Sequence, residues 1–152
     1  VYNASVRKLR EIIQSGEIGN ILYISMRRLN LGIFRQDINV MWDLSSHDIS
    51  ILNFILKERP TKVAVHGSAH FHENIEDVVF LVLMYPQHML VHIHASWVDP
   101  KKTREIIVVG DRKMVVYNEL DEREPIQIHD KSIEKQPYYD TYGEFKLLYK
   151  NF

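Results

Sequence analysis

Two polar residues at the start of an apolar segment, Asp43 and His47, have the residue types and the spacing of an acid–base pair. Four residues apart on a helix, their side chains lie on one face and within reach of each other. A histidine can take the proton of an alcohol near neutral pH, and a neighbouring carboxylate fixes its orientation and its tautomer. The same spacing also occurs where the aspartate only caps a helix and the histidine lies partly buried at the surface. From the residues alone, both interpretations remain open.

The chain has eight histidines, and metal binding is a second chemistry that they could perform. His70 with His72 and His92 with His94 form two His-x-His pairs in segments predicted as strands, so each pair projects to one side of its strand. If the two strands were neighbours, four imidazoles would converge. No carboxylate or third ligand is spaced to complete such a site, and a polar sheet face or a contact between subunits also explains the pairs. We therefore assign no metal site.

Basic residues cluster at Arg27, Arg28 and Arg35 and again over 101–104. The planar guanidinium of arginine suits both phosphate and carboxylate groups. We expect Arg28 and Arg35 to bind anionic groups of a substrate, and a solvated surface is the alternative interpretation.

The overall composition excludes several classes of function. Lys and Arg together number 19 and Asp and Glu 20, so a net charge of −1 gives no general reason to bind nucleic acid or an anionic membrane. The absence of cysteine excludes disulfides, thiolate zinc sites and cysteine nucleophiles. No apolar run has the length of a membrane span, and no signal pattern precedes the first helix. We expect a cytoplasmic protein.

Apolar periodicity predicts the elements that would position these residues. One helix is expected over 3–15 and a second over about 43–57, with Gly16 and Pro60 as their respective stops. Strands are expected over 21–29, 61–71, 78–85, 89–98, 105–109, 113–117 and, as a last short strand, 126–129. Nothing is predicted beyond Lys131.

Two helices followed by sequential strands predict an α+β fold, a mostly antiparallel open sheet of five to seven strands with helices on one face. The segment 78–85 is apolar on both faces, which is typical of a central strand. The segment 89–98 alternates, so one face of the sheet is apolar and the other is mixed. The mixed face is a candidate for burial against a second subunit, and we expect a homo-oligomer. Its residues include His66, Leu90, His92, His94 and Ser96.

Six short segments occur in an order that resembles a known family. They are Tyr2-Asn3, 16–19, 39–44, 47–50, 96–101 and Val109-Gly110. Together they resemble the C-terminal domain of Gfo/Idh/MocA-type oxidoreductases, the glucose–fructose oxidoreductase and inositol dehydrogenase family. The branch that they resemble acts on nucleotide sugars of the UDP-N-acetylglucosamine type. The resemblance covers about residues 1–130 and implies a dihydrodipicolinate-reductase-like sheet domain.

The resemblance also implies a function and a site. Such a domain is the substrate-binding half of an NAD(P)-dependent enzyme that oxidises a hydroxyl of a sugar or nucleotide sugar. The family's Asp-x-x-x-His motif falls on Asp43 and His47. His47 would then be the acid–base group, and Asp43 would orient or polarise the groups around it in the same site. Asn39 and Trp42 would line the substrate cleft.

The chain departs from the family pattern in two respects. It has no dinucleotide-binding (Rossmann) domain or glycine-rich loop, and the 57–60 segment, a helix end, does not replace the family's Glu-Lys-Pro motif. We also expect the closing helix and strand of the family to be missing from this sequence. We therefore expect residues 1–152 to be a single substrate-binding and oligomerisation domain, a fragment that binds no NAD or NADP alone and is catalytically silent. A non-catalytic domain that binds sugar or only self-associates is the alternative function.

Overall fold

A seven-stranded sheet with two helices on one face makes up the fold, in a computed structural model that describes residues 2–134 and 146–149. The helices are α1, Ala4–Gln14, and α2, Ser46–Ile55. The strands are β1 Ile21–Leu31, β2 Lys62–Ser68, β3 Val78–Met84, β4 Leu90–Ser96, β5 Val98–Gly110, β6 Met114–Asn118 and β7 Ile126–His129. Two further strands, β8 Lys131–Glu134 and β9 Lys146–Tyr149, pair with each other in a separate antiparallel ribbon.

The order of strands across the sheet is β2-β3-β4-β1-β5-β6-β7. All neighbours pair antiparallel except β1 and β4, which run parallel. The predicted α+β class, with a mostly antiparallel open sheet, is confirmed. Because β1 lies between β4 and β5, residues that are distant in sequence meet along both of its edges.

The core lies between the helices and one face of the sheet. Asn3 caps α1 by accepting a hydrogen bond from the main-chain N–H of Val6 at 2.9 Å, and α1 then buries Val6, Leu9 and Ile12. The sheet residues that meet the helices alternate with residues on the open face, as predicted for 89–98. The buried members include Ile24, Met26, Val91, Ile93 and Val108.

The boundaries differ from the prediction at three places. The second helix begins with a π-helical turn, Met41–Ser45, which hydrophobic periodicity does not reveal. Strand β5 begins at Val98 instead of residue 105, since its first half pairs with the end of β1. The prediction missed this half because it is polar and contains Pro100. Strand β2 ends at Ser68, so the His70 and His72 pair lies in a loop and not on a strand.

Other predictions are confirmed. Strand β3 lies inside the sheet between β2 and β4, and the turn after Gly110 joins β5 to β6 as a hairpin. Strands β8 and β9 fall in the segment for which nothing was predicted. In the part of the chain that the structure describes, no helix is long and apolar enough to cross a membrane.

Candidate functional site

The predicted acid–base residues lie at the start of α2, where the π-helical turn widens the helix. The side chain of Asn39 caps this turn, since its Oδ1 accepts the main-chain N–H of Trp42 at 3.1 Å. The main-chain N–H of Ser46 bonds to the carbonyl oxygen of Met41, which is the five-residue step of a π-helix. Such turns occur often at functional sites.

A pocket of about 660 Å³ opens beside this turn, between α1, α2 and the sheet. We call it the His47 pocket. Most of its lining side chains can form hydrogen bonds; besides His47 and Asp43 they include Asn3, Arg28, Ser50, Arg104 and Glu119. The structure thus brings three of the predicted site residues, His47, Asp43 and Arg28, into one pocket.

The two members of the predicted acid–base pair have different surroundings. His47 is exposed at the pocket wall. Asp43 is bonded through both carboxylate oxygens: Oδ2 accepts the indole N–H of Trp97 at 2.9 Å, and Oδ1 accepts Nη1 of Arg35 at 3.4 Å. The Asp43 carboxylate is therefore bonded to Trp97 and Arg35 rather than to His47.

Arg28 lies at the floor of the pocket in a network of charges. Its Nε and Nη2 both donate to Oδ1 of Asp48 at 3.2 Å, and its Nη1 donates to Glu119 at 3.3 Å. Burial raises the pKa of Asp48, while the charges of Arg28 and of a protonated His47 oppose that rise. Arg104 makes a longer contact, 3.9 Å, with the other oxygen of Glu119. The charge of Arg28 is thus largely compensated, and that of Arg104 less so.

The remaining predicted residues lie in or beside a neighbouring pocket of about 380 Å³. Asn39 and Trp42 line it, and the Trp42 side chain is 66% exposed. Arg35 holds Asp37 through two hydrogen bonds, of 2.7 and 3.0 Å, which keep the pKa of Asp37 below its ordinary value. Since Arg35 also bonds Asp43, it connects the two pockets.

Several pocket residues were not singled out as site residues from the sequence. The Tyr2 hydroxyl bonds to Oγ of Ser50 at 2.7 Å, and the Asn3 amide donates to the hydroxyl of Tyr117 at 3.2 Å. Tyr2, Asn3 and Ser50 fall in segments that carry the family resemblance, which is a signal that could have found them. Glu119 follows β6 in a turn and carries no such signal.

The histidine pairs do not converge. His92 and His94 lie on β4, whereas His70 and His72 follow β2 in a loop. Among residues 2–134 and 146–149, no group of three or more His, Asp or Glu side chains could hold a metal ion.

The described residues do not fit a dinucleotide. A nicotinamide dinucleotide needs a glycine-rich turn at a helix N-terminus, where main-chain N–H groups bind its pyrophosphate. Here Gly16 and Gly19 follow α1 with positive φ angles, and Gly110 ends β5, packed against the carbonyl group of Ile18. No step of a reaction is therefore assigned to a cofactor held by these residues.

The structure is thus an α+β domain with an open sheet, two helices on one face and a polar pocket at the start of α2. The family model described as the GFO/IDH/MocA C-terminal domain matches residues 6–116. The chain belongs to this family. No curated protein matches it.

Solved structures share the fold at low identity. They include UDP-N-acetylglucosamine 3-dehydrogenase from Acidithiobacillus ferrooxidans, with 18% identity, a TM-score of 0.68, and 82% of this chain and 42% of that one covered. An inositol dehydrogenase homologue from Azotobacter vinelandii, complexed with NADH and myo-inositol, has 14% identity and a TM-score of 0.67, with 90% and 41% covered. The WlbA dehydrogenase from Bordetella pertussis, complexed with NADH and UDP-GlcNAcA, has 13% identity and a TM-score of 0.69, with 82% and 42% covered. This chain therefore spans about two fifths of their length.

Proposed function

We propose that this chain is the substrate-binding half of an NAD(P)-dependent oxidoreductase that oxidises a hydroxyl of a sugar or nucleotide sugar. The observation that carries the proposal is the His47 pocket, in which an exposed imidazole faces a cavity lined mainly by hydrogen-bonding side chains. A polyhydroxylated ligand suits such a lining, because each hydroxyl can both donate and accept. The ligands in the complexes of two solved relatives, myo-inositol and UDP-GlcNAcA, support this class of substrate.

In this proposal the reaction divides between two parts of the protein. The imidazole of His47 takes the proton of the hydroxyl that is oxidised and passes it to water at the pocket mouth. A nicotinamide cofactor bound by another part of the protein would accept the hydride from the carbon that carries this hydroxyl. This chain's residues bind and orient the sugar, so the chain on its own would bind sugar without turning it over.

The arginines of the site differ in how readily each could bind an anionic group of the substrate. For Arg28, an incoming phosphate or carboxylate has to compete with Asp48 and Glu119. Among the residues that the structure describes, Arg104 makes one ion-pair contact, at 3.9 Å with Glu119, and Arg35 bonds Asp43 between the two pockets. An anionic group on the substrate would therefore meet Arg104 and Arg35 first, and Arg28 on closer approach.

The test is a histidine substitution in the protein with its cofactor-binding part present. His47→Asn should lower kcat for NAD(P)-dependent oxidation of UDP-N-acetylglucosamine or myo-inositol by about 10²–10⁴-fold, the usual contribution of a general base. His88→Asn is the matched control, since His88 is exposed in a turn before β4 and has a positive φ angle that asparagine adopts readily. Equal rates for the two variants would contradict the role of His47.

A second function, self-association, is favoured by the open face of the sheet. Tyr23, Phe80 and Leu90 are exposed there, beside the half-buried His92 and His94. Exposed apolar side chains in such a group are typical of a protein interface. We propose that two copies of this chain associate through this face, whether or not the parent protein is an enzyme.

A further inference from the structure

Trp97 lies at the junction of β4 and β5 and is held from three sides. The residue is only 1% exposed. Its main-chain N–H donates to the carbonyl oxygen of Asp77 at 2.9 Å, and its own carbonyl accepts the N–H of Gly32 at 3.1 Å. The ring of Phe34 meets the indole edge-on, with 6.2 Å between ring centres. The indole therefore has a fixed position and direction.

The indole N–H of Trp97 forms its hydrogen bond with the carboxylate of Asp43. It donates to Oδ2 at 2.9 Å, and a buried N–H that lost this acceptor would pay the full cost of desolvation. Within residues 2–134 and 146–149, the other oxygen, Oδ1, receives a single bond, from Nη1 of Arg35 at 3.4 Å, and that side chain already makes two shorter bonds to Asp37. The carboxylate is thus firmly held through one oxygen and loosely through the other.

We propose that Trp97 is a positioning residue of the oxidation: it fixes the Asp43 carboxylate at the wall of the His47 pocket and leaves Oδ1 for a substrate hydroxyl. The inference rests on the proposed function. When a hydroxyl donates to Oδ1, Arg35 can release it at little cost, because Asp37 keeps the guanidinium paired. Trp97 thereby takes the place of a direct Asp43–His47 bond in ordering the site.

The proposal predicts what the loss of the N–H does. Without it, the Asp43 carboxylate is free to turn towards Arg35 and form a closer ion pair outside the pocket. A displacement of about 1 Å in a group that positions substrate can lower a rate by about 100-fold. Substrate affinity should change less than kcat, since the other polar residues of the His47 pocket remain.

The first test needs no activity. The chain has two tryptophans, so its NMR spectrum should show two indole N–H signals, from the buried Trp97 and the exposed Trp42. Asp43→Asn should shift the Trp97 signal, because a charged acceptor is replaced by a neutral one. Asp130→Asn, a carboxylate exchange after β7, is the control and should leave both signals in place. A Trp97 signal that does not move in Asp43→Asn would overturn the proposal.

The second test measures the reaction in the protein with its cofactor-binding part. Benzothienylalanine in place of Trp97 keeps the shape of the side chain and lacks the N–H, so the fold is retained. We expect kcat to fall by about 10–100-fold with KM nearly unchanged. Combined with Asp43→Asn, the exchange should cost nothing further, because both changes remove the same interaction.

The outcomes separate this inference from the proposed function. A fully active isostere, or a double variant in which the two losses multiply, would show that Trp97 only supports the fold. If the unaltered protein oxidises no sugar, the proposed function fails, and the role of Trp97 in the reaction fails with it. The NMR test still decides in that case whether the Trp97–Asp43 bond exists in solution.

Discussion

The charged side chains around the candidate site form two groups, one at the floor of the His47 pocket and one at its wall. At the floor of the His47 pocket, Arg28 joins Asp48 on α2 to Glu119 after β6, and so ties a helix to the far side of the sheet. At the wall, Asp43 is bonded to a buried indole and to an exposed guanidinium. A buried ion pair contributes more to geometry than to net stability, because desolvation offsets much of its Coulomb energy. The floor therefore fixes the geometry of the site, whereas at the wall the long bond between Asp43 and Arg35 is the contact that a substrate hydroxyl would replace in the proposed function.

Asp77 is a second buried carboxylate, outside the candidate site, and its titration makes a stability prediction. Its Oδ2 accepts the main-chain N–H groups of His70 and Phe71 at 2.8 and 3.1 Å, and its Oδ1 lies 2.6 Å from Nδ1 of His70. Burial alone would raise the pKa of Asp77, but these bonds outweigh it and lower the pKa below the ordinary value of 3.8. The fold therefore stabilises the ionised form.

Asp77→Asn should lower the free energy of unfolding by about 2 kcal/mol at pH 7, the scale of losing a buried charge-assisted hydrogen bond. Because the folded pKa is lowered, the contribution is complete above about pH 4 and is lost as the pH falls through the folded value. The difference between the two proteins in urea unfolding should thus shrink at pH 3. Asp130→Asn, a carboxylate exchange outside this network, is the control and should leave the free energy of unfolding at pH 7 nearly unchanged. A loss that is equal at both pH values would contradict the ionic origin.

Residue types and spacing predicted part of the site but not its connections. Asp43 and His47 share a pocket, as a helical spacing suggests, even though a π-helical turn replaces the first turn of the predicted helix. The partner of Asp43 is Trp97, 54 residues away, and the second partner of Arg28 is Glu119, 91 residues away. Local patterns carry no information on such pairs. The register of β1 with β5 and of β5 with β6 brings Glu119 to Arg28, and Asp43 meets Trp97 where the chain leaves β4.

At the scale of elements, the turn from Val40 to α2 decides where His47 points. Asn39 holds this turn twice: Oδ1 accepts the N–H of Trp42, and Nδ2 donates to Glu76 at 3.3 Å. The main-chain N–H of Val40 also bonds to the carbonyl oxygen of Glu76, so the turn is fixed to the loop before β3. The entry to α2 is therefore set by contacts with the sheet as well as by its own sequence.

Asn39→Ala should lower the free energy of unfolding by about 1 kcal/mol, as expected for the loss of a capping side chain. Urea unfolding at neutral pH measures this loss. Asn53→Ala is the matched control, since Asn53 is exposed within α2 itself and alanine there favours the helix. If Asn53→Ala destabilised the protein as much as Asn39→Ala, the turn would not depend on its cap.

The elements themselves were largely predictable. Helix α1 and strands β3, β4 and β6 follow regular apolar patterns, and each appeared close to its predicted position. The first half of β5 was missed because its charged residues pair with the end of β1 and bury little apolar surface. The end of β2 was misplaced because the loop that follows is held by Asp77, a contact that strand periodicity cannot show.

At the scale of the whole molecule, the two faces of the sheet differ in what covers them. The helices cover one face, and its side chains form the core. On the other face, adjacent strands align Phe80 with His94 and Met84 with Leu90. The rings of Phe80 and His94 stack with 4.3 Å between their centres. A two-fold arrangement of copies would bury this face and place imidazoles in the interface.

Self-association through this face should depend on pH. Burial lowers the pKa of His94; Asp99 opposes this shift, and the charges of Arg27 and His92 add to it. A second copy would increase the burial, so the associated state favours the neutral imidazole and releases protons as it forms. We therefore expect a dimer in sedimentation velocity at pH 7.5 and dissociation at about pH 5.5, below the ordinary histidine value. Leu90→Glu should abolish the dimer at pH 7.5, whereas Ile33→Glu, an 88% exposed position in the loop after β1, should leave it intact at that pH. A protein that is monomeric at both pH values across micromolar concentrations would leave the open face without a partner copy and would refute this assembly.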